Sequence, residues 1–135
     1  MPFVEEGETI TVNITGKVTG TLWYGKFKVK QSLSMRDQLT RDKITRELAG
    51  TLGTPGAGIE DLAFVLADLS VRIIESPSWW KELNNGLDSK DWNMVKKVWD
   101  MASEVETKLM EEIKKRAEEA KGTLEEAKKE MVKNS

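Results

Sequence analysis

The chain has 135 residues, a formal net charge of -2, no His and no Cys. Without imidazole or thiol it lacks the commonest general base, the commonest metal ligands and the commonest nucleophilic sulfur, which argues against an enzyme. Hydrophobic residues make up 39% and charged residues 33%, enough for one small core, with no apolar run long enough to span a membrane.

The opening Met1-Pro2-Phe3-Val4-Glu5-Glu6 has neither a basic n-region nor an apolar h-region, so no signal peptide is expected there. The absence of Cys fits a reducing compartment. Residues 8 to 15 alternate, with Ile10, Val12 and Ile14 on one side and Thr9, Thr11, Asn13 and Thr15 on the other. That is a half-buried strand. Gly16 to Gly20 supply a turn, and a second strand runs from about Thr21 to Lys30. Phe27 and Val29 share one face of it, and Lys26, Lys28 and Lys30 the other. Gly25 follows Trp23 and Tyr24 and is a candidate bulge that would flip the register. Two strands alone are marginally stable, so this hairpin must pack on helices, gain a further strand, or join a partner's sheet.

The remainder reads as helical. Ser34 and Asp37 resemble a capping box with a shorter acid, opening a helix over about 34–49 with Met35, Leu39, Ile44 and Leu48 at helical spacing and Gly50 just beyond. Residues 51 to 58 read as a flexible loop that lacks the Lys-Ser/Thr ending of a phosphate cradle. A second helix spans 59–75, with Ile59, Leu62, Leu66, Leu69 and Ile73 on its apolar stripe. Ser76-Pro77 starts a short helix to about 85 that carries Trp79-Trp80. Adjacent helical residues point about 100° apart, so one ring is expected in the core and the other over the hairpin or partly exposed. Asp88 or Ser89 then caps a helix over 89–110, with Trp92 and Trp99 expected in the core.

Beyond Glu104 the stripe thins. Nine acidic and eight basic residues fill the stretch from Glu104 to Ser135. Gly122-Thr123 interrupts it, and Thr123 with Glu126 reads as a capping box for a last short helix. The segment 111–135 is expected to be a charged helical extension, read first as a solvated tail and alternatively as a partner-binding helix. The expected architecture is α+β: one domain over 1–110, a hairpin with room for a third strand, packed on about four helices, followed by that extension.

Charge is uneven. Between Lys26 and Arg46 seven basic residues stand against Asp37 and Asp42. An electropositive face toward an acidic partner or nucleic acid is one reading. The other is that these lysines are the wet face of a strand, with some charges answered by Glu60, Asp61, Asp68 and Glu75.

An ordered set of phrases resembles the tail assembly chaperones of long-tailed phages. These are Gly20 to Lys30 with Tyr24, Gly25 and Phe27; Leu33 to Asp37; Leu66 to Glu75 with Arg72; Pro77 to Trp80; and Asn85 to Asp88. The resemblance covers about residues 10 to 110 and leaves out the charged tail. It implies a non-catalytic protein without cofactor or metal, made in the cytoplasm of the bacterial host. Such a protein would bind the tape measure protein, and other tail proteins, during tail assembly and be absent from the mature virion. Candidate partner-binding residues are Trp23, Tyr24, Phe27, Lys28, Lys30, Arg36, Arg72, Trp79 and Trp80. A structural virion subunit and a nucleic-acid-binding regulator acting through residues 26–46 are the alternatives, and self-association stays open.

Overall fold

A computed structural model describes residues 7–51 and 57–133. The chain is α+β, with elements in the order β1 (Gly7–Thr15), β2 (Leu22–Lys30), α1 (Met35–Thr51), α2 (Ala57–Arg72), β3 (Ile73–Glu75), α3 (Ser78–Glu82) and α4 (Trp92–Lys133). The expected N-terminal residues 1–6 and the centre of the glycine loop, 52–56, lie outside the described residues.

The hairpin forms as the alternation requires. β1 and β2 pair antiparallel in unbroken register, from Gly7 opposite Lys30 to Thr15 opposite Leu22. Gly25 is therefore not a bulge; it pairs with Val12. Its missing side chain serves close approach instead, since a Cβ there would come within 2.4 Å of Pro77 Cγ. Ile10, Val12, Phe27 and Val29 are buried on the inner face, while Thr9, Thr11, Lys26 and Tyr24 face solvent.

The sheet has three strands, ordered β1-β2-β3. The expected helix over 59–75 stops at Arg72, and the last three residues form β3, antiparallel to β2 with an irregularity between Lys28 and Val29. The physical reason is twofold. β2 has an open edge whose backbone groups need partners, and Ile73-Ile74 are β-branched residues just ahead of Pro77. The register shift thus falls where the short strand meets β2, not at Gly25.

Ser34 and Asp37 form the expected cap. The Ser34 N–H donates to Asp37 Oδ2 at 3.1 Å and the Asp37 N–H donates to Ser34 Oγ at 3.0 Å. α1 continues through Gly50 to Thr51. Its predicted apolar stripe is only half used. Ile44 and Leu48 are half-buried, but Met35 and Leu39 are exposed, because the side that faces α2 carries Arg41, Ile44, Thr45 and Leu48. Arg41 reaches the buried Asp68 of α2, and that polar anchor sets the rotation of the helix.

α4 crosses the inner face of the sheet. Met94, Val95, Val98, Ala102 and Val105 are buried against Ile10, Val12, Phe27, Val29, Leu66, Leu69 and Trp80. The helix starts at Trp92, later than Asp88 or Ser89, with the Asp91 carbonyl accepting from the Met94 and Val95 N–H groups. It then runs unbroken for 42 residues, about 63 Å. Gly122 does not interrupt it, and Thr123 does not cap a new helix: the Thr123 hydroxyl donates back to the Glu119 carbonyl at 3.0 Å. The extension is therefore the second half of one helix.

Candidate protein-binding groove

Three side-chain clusters tie the elements together, and an open groove runs between α2 and α4. The first cluster is aromatic. Trp80 is 1% exposed and meets Phe27 edge-on at 5.4 Å between ring centroids. Trp79, turned away from it by the helical step, lies half-buried over the hairpin at 4.9 Å from Trp23. Its indole N–H donates to the Tyr24 carbonyl at 2.9 Å.

The second cluster docks the hairpin turn onto the start of α4. Asp91 turns its carboxylate into the turn. There it accepts from the Val18 and Thr19 N–H groups at 2.9 Å each, from the Thr19 hydroxyl at 2.5 Å and from the Trp23 indole at 2.8 Å. Gly16 makes room for it: a Cβ there would lie 2.1 Å from Asp91 Oδ2. The Thr19 hydroxyl and the neighbouring N–H donors hold the Asp91 carboxyl down at about 2, against an opposing effect of burial. Asn93 adds a second tie, accepting from the Lys17 N–H and donating to the Thr15 carbonyl, each at 3.0 Å.

The third cluster is a buried ion network joining α1, α2 and α4. Asp68, 1% exposed, accepts from Arg41 at 3.0 Å, from Arg72 Nε at 2.9 Å and from the Trp99 indole at 3.1 Å. Arg72 continues to Glu106 at 3.2 Å. Burial alone would lower the Arg72 guanidinium, but Asp68 and Glu106 outweigh it and raise it above the ordinary arginine value. At Asp37 burial acts upward on the carboxyl, and the Ser34 N–H and Lys30 outweigh it, so that carboxyl is lowered.

The groove runs between α2 and α4. It encloses about 590 Å³ and is walled by Leu62, Phe64, Val65, Trp92 and Trp99, with Asp61 and Lys96 at its rim. Its origin is helical geometry. Val98 faces the sheet, and Trp92 and Trp99 sit about 100° around the helix from it, on the shoulder facing α2. Both were expected in the core; Trp99 is half-buried and Trp92 is 42% exposed. On the opposite wall the Arg41 guanidinium lies 4.9 Å from the centre of the Phe64 ring. The wall is therefore braced by the same Arg41–Asp68–Trp99 contacts that hold the helices together.

The structure gathers Trp23, Tyr24, Phe27, Trp79 and Trp80 in the aromatic cluster and places Lys28, Lys30, Arg36 and Arg72 outside it. Phe27, Trp80 and Arg72 are buried and belong to the aromatic core and the ion network. They offer a partner no surface, because packing them is what closes the domain. Lys30 is bonded to Asp37 at 3.1 Å, and Lys28 sits opposite Glu75 across the strand pair. Trp23 and Trp79 are half-buried, and Tyr24 and Arg36 are exposed. Trp92 is absent from those candidates because a seven-residue spacing to Trp99 reads as a core seam, and its place at the first residue of α4 is visible only in the structure.

Among the described residues no helix is long and apolar enough to cross a membrane, and no cluster of His, Cys, Asp or Glu could hold a metal ion. No family model matches the chain, and neither a curated protein nor a solved structure shows significant similarity to it.

Proposed function

We propose that this protein is a non-catalytic chaperone of phage tail assembly that binds apolar helical segments of a tape measure protein. The ordered phrases from Gly20 to Asp88 suggest the family, and the α2–α4 groove is the observation that carries the reading. Its volume, about 590 Å³, is of the size that takes up several apolar side chains, and its walls are aromatic and aliphatic. An amphipathic helix presents such side chains at i, i+3, i+4 and i+7, and helix-in-groove docking covers them. A long chain whose apolar stripes await burial aggregates unless they are covered. The groove is open to solvent, which suits contacts that growing tail tube subunits must displace.

The nucleic-acid alternative draws less support. In the basic segment, Lys30 answers Asp37 and Arg41 answers Asp68, so the surplus of positive charge is partly consumed inside the fold.

The test is co-expression with fragments of the tape measure protein from the same phage. The fragments are expected to stay soluble and co-purify with the chain, and to aggregate with the Trp92→Ala variant. Fragments that aggregate equally with either protein, or that co-purify equally with both, would remove the groove from this role.

A further inference from the structure

The outer half of α4 carries a pattern that the globular body does not use. Met110, Ile113, Ala117, Ala120, Leu124 and Ala127 follow one another at alternating spacings of three and four. The row ends on Met131, 74% exposed. All of these side chains are exposed, with Ile113 at 50% and Leu124 at 60%. The charged residues repeat with the same period. Of the two positions that border the row, one is Lys throughout, at 114, 121 and 128, and the other holds Arg116, Thr123 and Glu130, while Glu-Glu recurs on the outer face at 111–112, 118–119 and 125–126. Three consecutive heptads with an apolar seam and a lysine at the same bordering position of each are the pattern of a coiled-coil strand.

A solitary solvated helix has no use for this. It needs Glu and Lys at i, i+4, as in the Glu112–Arg116 pair at 2.9 Å, but no seven-residue period and no Ile, Leu and Met in one row. A straight helix drifts about 20° per heptad against a strict seven-residue repeat, so the repeat pays off only along a second helix. The seam begins where α4 leaves the body: Glu106 still pairs with Arg72, and Met110 and Ile113 beyond it are exposed. Gly122 lies on the side away from the seam, and nothing is within 4 Å of its would-be Cβ, so it does not obstruct pairing.

The seam also says what kind of helix fits it. Pairing with a second copy is disfavoured in both orientations. In parallel register Ala117, Ala120 and Ala127 would meet themselves in thin layers, and Lys121 would face Arg116 of the copy. In antiparallel register the Lys114, Lys121 and Lys128 rows would face each other. A complementary strand has large aliphatic residues to fill the alanine layers and acidic residues beside its seam. We infer that residues 110–131 of α4 form one strand of a heterotypic coiled coil, whose partner is a heptad-repeat helix of another protein with acidic flanks. This inference stands apart from the groove and does not depend on the chaperone reading.

The experiment uses the full chain and two synthetic peptides of about four heptads, each with Leu throughout its seam. One has Glu at all flanking positions and the other has Lys. Binding is followed by fluorescence anisotropy, self-association by sedimentation, and helix content by far-UV circular dichroism. The acidic peptide is expected to bind about tenfold more tightly than the basic one. The K114E/K121E/K128E variant should reverse that order, and Leu124→Asp should abolish binding of both. The K114Q/K121Q/K128Q variant, which adds no like charges to the helix, should weaken the acidic peptide alone while keeping wild-type helix content. Equal binding of the two peptides, an unchanged preference in either lysine variant, or a dimer of the chain itself that Leu124→Asp dissolves would overturn the inference.

Discussion

Replacing Asp68 tests how the helices are held together. The carboxylate is 1% exposed and compensates two guanidiniums, of which Arg72 is 3% exposed. Asp68→Ala would leave Arg72 with Glu106 alone, at 3.2 Å, and would free the Trp99 indole N–H. Removing one member of a buried, hydrogen-bonded ion pair costs about 3–5 kcal/mol, because the other charge stays buried without its partner. The surviving Glu106 contact places the expected loss near the lower end, about 3 kcal/mol. That is a large fraction of the roughly 5–15 kcal/mol that holds a domain of this size together. Asp68→Asn keeps the shape and one acceptor oxygen and should cost about 2 kcal/mol. Trp99→Phe removes one donor to Asp68 while keeping an aromatic ring and should cost about 1 kcal/mol. Urea unfolding followed by circular dichroism gives the three values. A loss under about 1 kcal/mol for Asp68→Ala, with an unchanged dependence on urea, would show that the network is not a determinant of stability. Because Asp68 also holds Trp99, a wall of the groove, the same variants should alter tryptophan emission in the folded state.

Gly16→Ala should destabilise by about 1–3 kcal/mol, since its methyl group would displace the Asp91 carboxylate from the hairpin turn; thermal unfolding measures it. The Asp91 carboxyl is lowered to about 2, below its ordinary 3.8, so its contribution is fully present above pH 4 and is lost as pH falls through 2. The Val18 and Thr19 amide resonances should therefore hold their positions down to about pH 3 in wild type, and Asp91→Asn should lose this acid-dependent step. Phe27→Ala, at the centre of the aromatic cluster, should cost about 3–5 kcal/mol in denaturant unfolding. Trp92→Ala should change stability by less than about 1 kcal/mol, since its ring is already half in water, while abolishing client binding in the solubility assay.

Local sequence signals were sufficient wherever a single element decides the outcome. The alternation over residues 8 to 15, the Gly16–Gly20 turn and the Ser34–Asp37 cap all reside within a few consecutive residues, and the structure contains each of them. The 100° step between Trp79 and Trp80 likewise dictates that one ring enters the core and the other covers the hairpin. Composition alone, through the missing His and Cys, narrowed the chemistry open to the chain.

Only tertiary structure decided matters in which elements compete. Ile73 to Glu75 continue a helical pattern, yet the open edge of β2 draws them into a strand. Met35 and Leu39 are as apolar as Ile44 and Leu48, but Arg41 rotates α1 toward Asp68 and leaves them in water. Gly122-Thr123 looks like a break, but extending a helix already formed costs far less than starting one, and α4 runs through it. Trp92 and Trp99 share one stripe, and only the position of α2 shows that this stripe is the shoulder of the helix, where a groove opens. Apolar periodicity identifies a face of an element; what covers that face depends on where the other elements pack.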